Sequence, residues 1–189
     1  MNNLEIVPQP KGYFKIELLD KDGNVKDAWE KHNLVVNSSR PVLAKHMANR
    51  SATPVNKLVL GTKGHIGDNL MTPKTANEGF TAARTNLFAE EEGAFVYNIN
   101  FTPPSTDNGQ AVVVEDDAGA GSTVEVVYAN NTITYKVVLA VNAGNGATGT
   151  TPYTEAALYA GDDMFCMRTF AVRAKDVSSV IRITWTLIF

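Results

Sequence analysis

An all-β fold, a two-layer sandwich with one packed helix, is what this sequence predicts, and three observations predict it. Short segments alternate apolar and polar residues with a period of two, most clearly at residues 94–101 and 178–189. Asp-Gly, Asn-Asn and Gly-Asp-Asp clusters separate such segments, where tight turns are needed. One stretch, about residues 39–49, combines helix punctuation with apolar residues three and four apart. Strands patterned this way bury one face of a sheet, and that face must pack against a second layer.

In chain order, residues 1–10 hold two prolines and little periodicity, and read as an extended arm, either loose or docked on a neighbouring subunit. Residues 12–19 (GYFKIELL) are rich in aromatic and branched side chains and predict a strand. Asp22-Gly23 marks the turn, and a return segment from Val25 to about Val36 completes an N-terminal hairpin. Asn37, Ser38 and Ser39 then offer N-cap oxygens. Pro41 suits a first helical turn, because its missing N–H would be unpaired there anyway. Val42, Leu43, His46 and Met47 share one helical face, and Ser51, Thr53 and Pro54 end the helix.

Residues 57–60 (KLVL) predict a short strand that opens into a Gly-rich, polar loop reaching about residue 80. Residues 81–88 (TAARTNLF) hold either a short turn of helix or an extended segment. In residues 94–101, Phe95, Tyr97, Ile99 and Phe101 share one face of a strand, with Val96, Asn98 and Asn100 opposite. Residues 102–152 have a different composition, rich in Gly, Thr, Ala, Asn and Val and poor in charge. They contain a strand at 110–114 and a hairpin, 123–128 with 132–141. Its turn uses Asn130 and Asn131, because asparagine tolerates positive φ. This stretch reads as a β-hairpin insertion or an outer sheet, which assigns the sandwich core to residues 11–101 and 153–189.

The last third is strand-rich. Residues 155–159 and 164–174 flank the turn Ala160-Gly161-Asp162-Asp163. In residues 178–189, Ile181, Ile183, Trp185, Leu187 and Phe189 point one way, while Arg182, Thr184 and Thr186 point the other.

Composition narrows the function. With 189 residues, 44% hydrophobic and 20% charged, the chain can bury one substantial core and is not a disordered chain. A net charge of −3 gives no reason to expect a broad nucleic-acid surface. Apolar runs stay short of the roughly 18–20 residues of a membrane span. Residues 1–13 lack the basic and apolar regions of a signal peptide, so synthesis in a reducing cytoplasm is expected. The single cysteine, Cys166, allows no internal disulfide and reads as a small buried residue. A thiol paired between subunits is the alternative.

Constellations for chemistry are missing from the sequence. His32, His46, His65 and Cys166 are scattered without zinc-ligand spacing. His46 borders the apolar face of the helix and is expected to be partly buried, while His65 in its glycine loop suits a surface contact. In Gly61-Thr62-Lys63-Gly64 the lysine precedes the glycine and no helix follows, so the stretch cannot cradle phosphate as a P-loop does. Asp116-Asp117 and Asp162-Asp163 lack calcium-loop spacing and read as solvated turn acids. Trp29 with His32, and Trp185, could line a sugar site, but such aromatics also serve as core anchors or interface hot spots. No catalytic, cofactor-binding or metal-binding residue is assigned, and no cofactor is expected.

Several segments resemble a class of tailed-bacteriophage virion proteins. Asn33-Leu34-Val35-Val36-Asn37, followed by the helix, is similar to their early "N-L-V-x-N" strand, and Leu58-Val59-Leu60-Gly61-Thr62 to the strand and loop that come next. Thr85-Asn86-Leu87-Phe88-Ala89-Glu90 matches a T-x-L-x-x-E-like segment, and Glu155-Ala156-Ala157-Leu158-Tyr159 an "E-A-x-L" strand. Met167-Arg168-Thr169-Phe170 follows, and Ile183-Thr184-Trp185-Thr186-Leu187-Ile188-Phe189 resembles the ending of phage tail, neck and collar proteins. The resemblance spans about residues 30–90 and 153–189, and its motifs are structural. It implies a non-enzymatic virion subunit, made in the host bacterial cytoplasm, present in multiple copies in a ring or sheath-like layer of the neck, tail or baseplate. Its partners would be copies of itself and other virion proteins, with neither membrane nor nucleic acid bound directly. The alternatives are a capsid decoration protein and a host-receptor or glycan-binding module. For the last of these, Tyr128, Tyr135 and Tyr153 are the candidate aromatics on an exposed loop.

Overall fold

The computed structural model describes residues 10–48, 53–93, 96–100, 111–112 and 121–189. The predicted arm, apart from Pro10, lies outside these residues, as do Asp116 and Asp117. The chain runs β1 (Lys11–Asp20), β2 (Val25–His32), β3 (Leu34–Val35), α1 (Ser39–Met47), β4 (Lys57–Gly61), β5 (His65–Ile66), β6 (Asn69–Pro73) and α2 (Phe88–Glu91). It continues through β7 (Val96–Asn100), β8 (Ala111–Val112), β9 (Thr123–Ala129), β10 (Thr132–Leu139), β11 (Thr150–Ala160), β12 (Asp163–Asp176) and β13 (Ser179–Ile188).

Two antiparallel sheets pack as a sandwich with one main helix. The first has strand order β2-β1-β13-β10-β9-β8, and the second β3-β12-β11-β4-β7. The first hairpin forms as its turn chemistry dictates. Gly23 adopts φ 86°, and an Asp20 carboxylate oxygen accepts the N–H groups of Asp22 and Asn24 at 2.9 Å each. Asn130 adopts φ 54° in the β9–β10 turn, where asparagine tolerates the left-handed region. The chain changes sheet after β2, since β3 pairs with Cys166 and Met167 of β12 rather than extending the hairpin. It changes again between β12 and β13, across two residues where an Asp176 carboxylate oxygen accepts from Ser178 N and Oγ at 2.9 Å.

The core between the sheets centres on aromatics. Phe14 stacks on Phe170 at 5.4 Å and meets Trp185 edge-on at 4.7 Å, while Trp29 lies 6.2 Å from Phe14. Trp185 is completely buried at the middle of β13, whose side chains alternate strictly between core and outside. Rings in these offset and edge-on arrangements add about 0.5–1.5 kcal/mol per pair beyond the area they bury.

Several expectations change in the folded chain. The β9–β10 hairpin does not stand apart from the core: β10 pairs with β13 along its whole length, and Val124, Val126, Val137 and Leu139 are core residues. The 61–80 loop contains a small β5–β6 hairpin and a single 3-10 turn at Ala76–Glu78, capped by Thr75. In α1 only Ser39 and Val42 are buried. Met47 is 90% exposed and His46 is exposed, so that predicted apolar face is half as wide as its spacing suggested. Ser38 sits at the N-cap but makes no capping bond. Its hydroxyl instead donates to Met164 O at 2.5 Å, which ties the helix start to sheet two.

Candidate interaction surfaces

The residues singled out for chemistry do not converge. His32 packs against Tyr13 with ring centroids 4.4 Å apart, His46 is on α1, and His65 lies on β5 with Nδ1 3.3 Å from Thr154 Oγ1. Partial burial, reinforced by Lys74 and Lys63, lowers the His65 pKa. Cys166 is fully buried between the sheets, and burial pushes its thiol pKa up. Such a thiol is out of reach of a pairing between subunits. Asp162 is solvated at its turn, 3.6 Å from Lys57. Among the described residues no three His, Cys, Asp or Glu side chains group as metal ligands. Tyr135 and Tyr153 are buried in the core, and only Tyr128 is exposed, so these three do not form an exposed aromatic cluster. Trp185 is a core anchor, whereas Trp29 is half-buried.

Sequence reasoning passed over Glu155, which is completely buried on β11. One carboxylate oxygen accepts Phe88 N at 2.9 Å, and the other accepts Ala89 N at 2.7 Å and Lys63 N at 3.3 Å. It therefore holds both the first turn of α2 and the Gly-rich loop after β4. Burial pushes its pKa up against these three amide bonds and the nearby Arg84. Gly61 and Gly64 exist for this contact: a Cβ on Gly61 would lie 2.6 Å from the Glu155 carboxylate, and one on Gly64 would overlap Thr154 O. The available signal was an acid opening an otherwise apolar run, Glu155-Ala156-Ala157-Leu158-Tyr159.

Around that latch, residues 62–93 fold over the outer face of sheet two. Leu87 and Phe88 bury Val59, Ala157, Tyr159, Met164 and Met167 in a second, smaller core. Arg84 and Lys74 lie over the Phe88 ring at 3.6 and 4.1 Å, and each continues to a carboxylate, Arg84 to Glu91 at 2.9 Å and Lys74 to Glu92 at 3.3 Å.

The outer face of sheet one is built differently. Strand register lines up Glu30, Lys15, Thr184, Lys136 and Glu125 across five strands, with Tyr13, Thr186 and Thr134 in the adjacent row. Glu17 bonds Arg182 at 2.7 Å and Lys15 at 3.0 Å, Lys136 bonds Glu125 at 3.0 Å, and the hydroxyls of Thr134 and Thr186 meet at 3.0 Å. A shallow concavity of about 480 Å³ lies at one end, lined by Tyr13, Lys15, Glu30, His32, Thr184 and Thr186. A second, apolar groove of about 280 Å³ runs beneath α1 between Val42, Leu43, Ile133, Leu187 and Phe189.

One more buried charge joins the layers. Lys175, completely buried near the end of β12, donates from Nζ to Val141 O at 3.0 Å, Asn145 Oδ1 at 2.8 Å and Asp176 O at 3.0 Å. Burial lowers its pKa to about 8. All three ammonium donors are used, so the amine pins the connection between β10 and β11 without needing a carboxylate. No helix of the described residues is long and apolar enough to cross a membrane. Compared with known protein families, curated proteins and solved structures, the chain has no significant match.

Proposed function

We propose that this chain is a non-enzymatic structural subunit of a tailed-bacteriophage particle. It assembles with copies of itself and with other virion proteins into a ring or sheath-like layer of the neck, tail or baseplate. The observation that carries this reading is the contrast between the two outer faces. Sheet two is roofed by the chain's own 62–93 segment, while sheet one offers a five-strand-wide polar face with Tyr13 half exposed at its edge. Strand β2 borders that face and, among the described residues, pairs on one side only, with β1, so that edge offers a row of backbone groups to a neighbour. The segments that resemble phage proteins include the ones that build the roof and its latch, Thr85–Glu90 and Glu155–Tyr159.

The test is the mass of the purified protein in solution, by mass photometry, with negative-stain imaging of any oligomer. Closed rings of about six or twelve copies are expected under the symmetry rules for heterologous interfaces. A compact trimer would favour a capsid decoration protein. A monomer at all concentrations, alone and with virion extract, overturns the reading. A glycan-binding module is the second reading, favoured by the concavity that the packed Tyr13 and His32 rings line beside Lys15 and Glu30. Binding of host surface glycans by a monomer, lost in Tyr13→Ala, would establish it in place of the first.

A further inference from the structure

Arg168 lies on β12 at the lateral seam of the sandwich, where that strand faces β2 of the other sheet. Its guanidinium carbon is 5.1 Å from the Trp29 ring centroid and 5.0 Å from that of Phe80. Two rings thus hold the plane of the group in place. Nε is buried without a hydrogen-bond partner. No carboxylate among the described residues lies within ion-pair distance of Arg168, although the chain forms eight such pairs among those residues. Burial accordingly lowers its pKa. A guanidinium does not deprotonate in a protein, so the charge persists with two ring faces beside it and no carboxylate.

Arg173, on the same strand, also buries an unbonded Nε but has the carboxylate that Arg168 lacks. It is almost completely buried, bonds Asp27 at 3.2 Å, and donates to Ala171 O and Val172 O at 3.1 and 2.9 Å. Asp27 and Trp29 stand two apart on β2, hence on the same side of that strand. The acid on the Trp29 side of β2, Asp27, is thus taken by Arg173 and not by Arg168. The edge strand β2 beside it is exposed at every position except half-buried Trp29.

We propose that Arg168 is a preorganised receptor for a carboxylate, supplied by an acidic side chain of a second copy of this chain docking along the β2 edge. The inference rests on the assembly reading above and assigns it a contact. Clamping between rings removes most of the rotamer freedom that an arginine loses on pairing, and the planar fork matches a carboxylate bidentately. A second copy fits because the chain is acidic, at −3, and presents exposed acids such as Asp162 and Asp163 on its surface.

The experiment uses the full chain and two variants. Arg168→Gln should weaken self-association about 30-fold or more by concentration-dependent mass photometry, with its unfolding midpoint close to that of the native protein. Arg168→Lys keeps the charge and supplies a primary amine. Carbodiimide treatment of its assembled form should join position 168 to an acidic peptide of another copy, identified by mass spectrometry with mixed isotope labels. If the native protein and Arg168→Gln assemble alike, or if Arg168→Lys assembles and gives no intermolecular link at position 168, this inference falls and the assembly reading stands. If the native protein never self-associates, both fall.

Discussion

On the outer side of sheet two, Val59, Ala157, Tyr159 and Met167 lie under Leu87 and Phe88. On the outer side of sheet one, Tyr13, Lys15, Thr184 and Lys136 are covered by none of the described residues. Both faces belong to antiparallel sheets of similar width, and both back onto the same core. They differ in what the strands carry outward. Strand β11 is buried at nearly every position, as a strand with protein on both sides must be, whereas β13 alternates buried and half-buried side chains. An apolar outer face obliges the chain to roof itself. A face of threonines and paired charges remains stable in water and stays available to a neighbour.

Removing the latch breaks that comparison most severely. Glu155→Gln leaves a single carbonyl oxygen to serve three amide donors and turns an NH2 group toward the others. It should destabilise the protein by about 3 kcal/mol in urea unfolding, with faster proteolytic cleavage inside residues 62–93. Equal loss of stability without any gain in cleavage there would mean that Glu155 supports the sandwich generally rather than the roof. Gly64→Ala attacks the same joint from the other side, by forcing a methyl group into Thr154 O, and should cost about 2 kcal/mol with the same local cleavage. If Gly64→Ala is neutral, the loop has room to slide, and the close approach is not what holds it.

The legibility of the sequence follows the same division. Strands β1, β9, β10, β12 and β13 and the helix could be read because alternation, Asp-Gly, Asn-Asn and N-cap signals are local. The roof could not. Leu87 and Phe88 sit in a segment with no period, and they become core residues only because Glu155, more than sixty positions away, fixes where they land. The sheet switch after β2 was also hidden, since residues 25–36 read as one return strand while Asn33 lies at the crossing. His46 and Met47 shared helical spacing with Val42, yet α1 buries only Ser39 and Val42 and packs Leu43 partly against the core, so spacing overstated its buried face. The outer face of sheet one lay partly in view. Lys15, Thr184 and Lys136 could be placed outward strand by strand, but their alignment into a row depends on register.

On the open face, substitutions should be mild and titratable. Glu17 is held below the usual carboxylate range by its bond from Arg182, and further by Lys15, against the opposing effect of burial. A carboxyl whose folded pKa is depressed contributes stability above its unfolded value, here 4.5, and that contribution disappears as pH falls through the folded pKa. Glu17→Gln should therefore cost about 1 kcal/mol at neutral pH and nothing once both forms are protonated, so the two stability curves converge on the acid side of pH 4.5. Curves that stay parallel through that range would assign the loss to packing rather than charge.

Tyr13→Ser should have the smallest effect on folding and the most informative one on function. Tyr13 is 51% exposed and its ring touches His32 rather than the core, so unfolding should shift by no more than about 0.5 kcal/mol. Exposed aromatics on a polar face are where interfaces concentrate their affinity, so the same change should weaken self-association by about tenfold or more. Phe88→Ser on the roofed face should show the reverse, a large loss of stability with assembly altered only as far as unfolding explains. If Tyr13→Ser leaves assembly untouched, sheet one is uncovered without being an interface, and docking must be sought along the β2 edge alone.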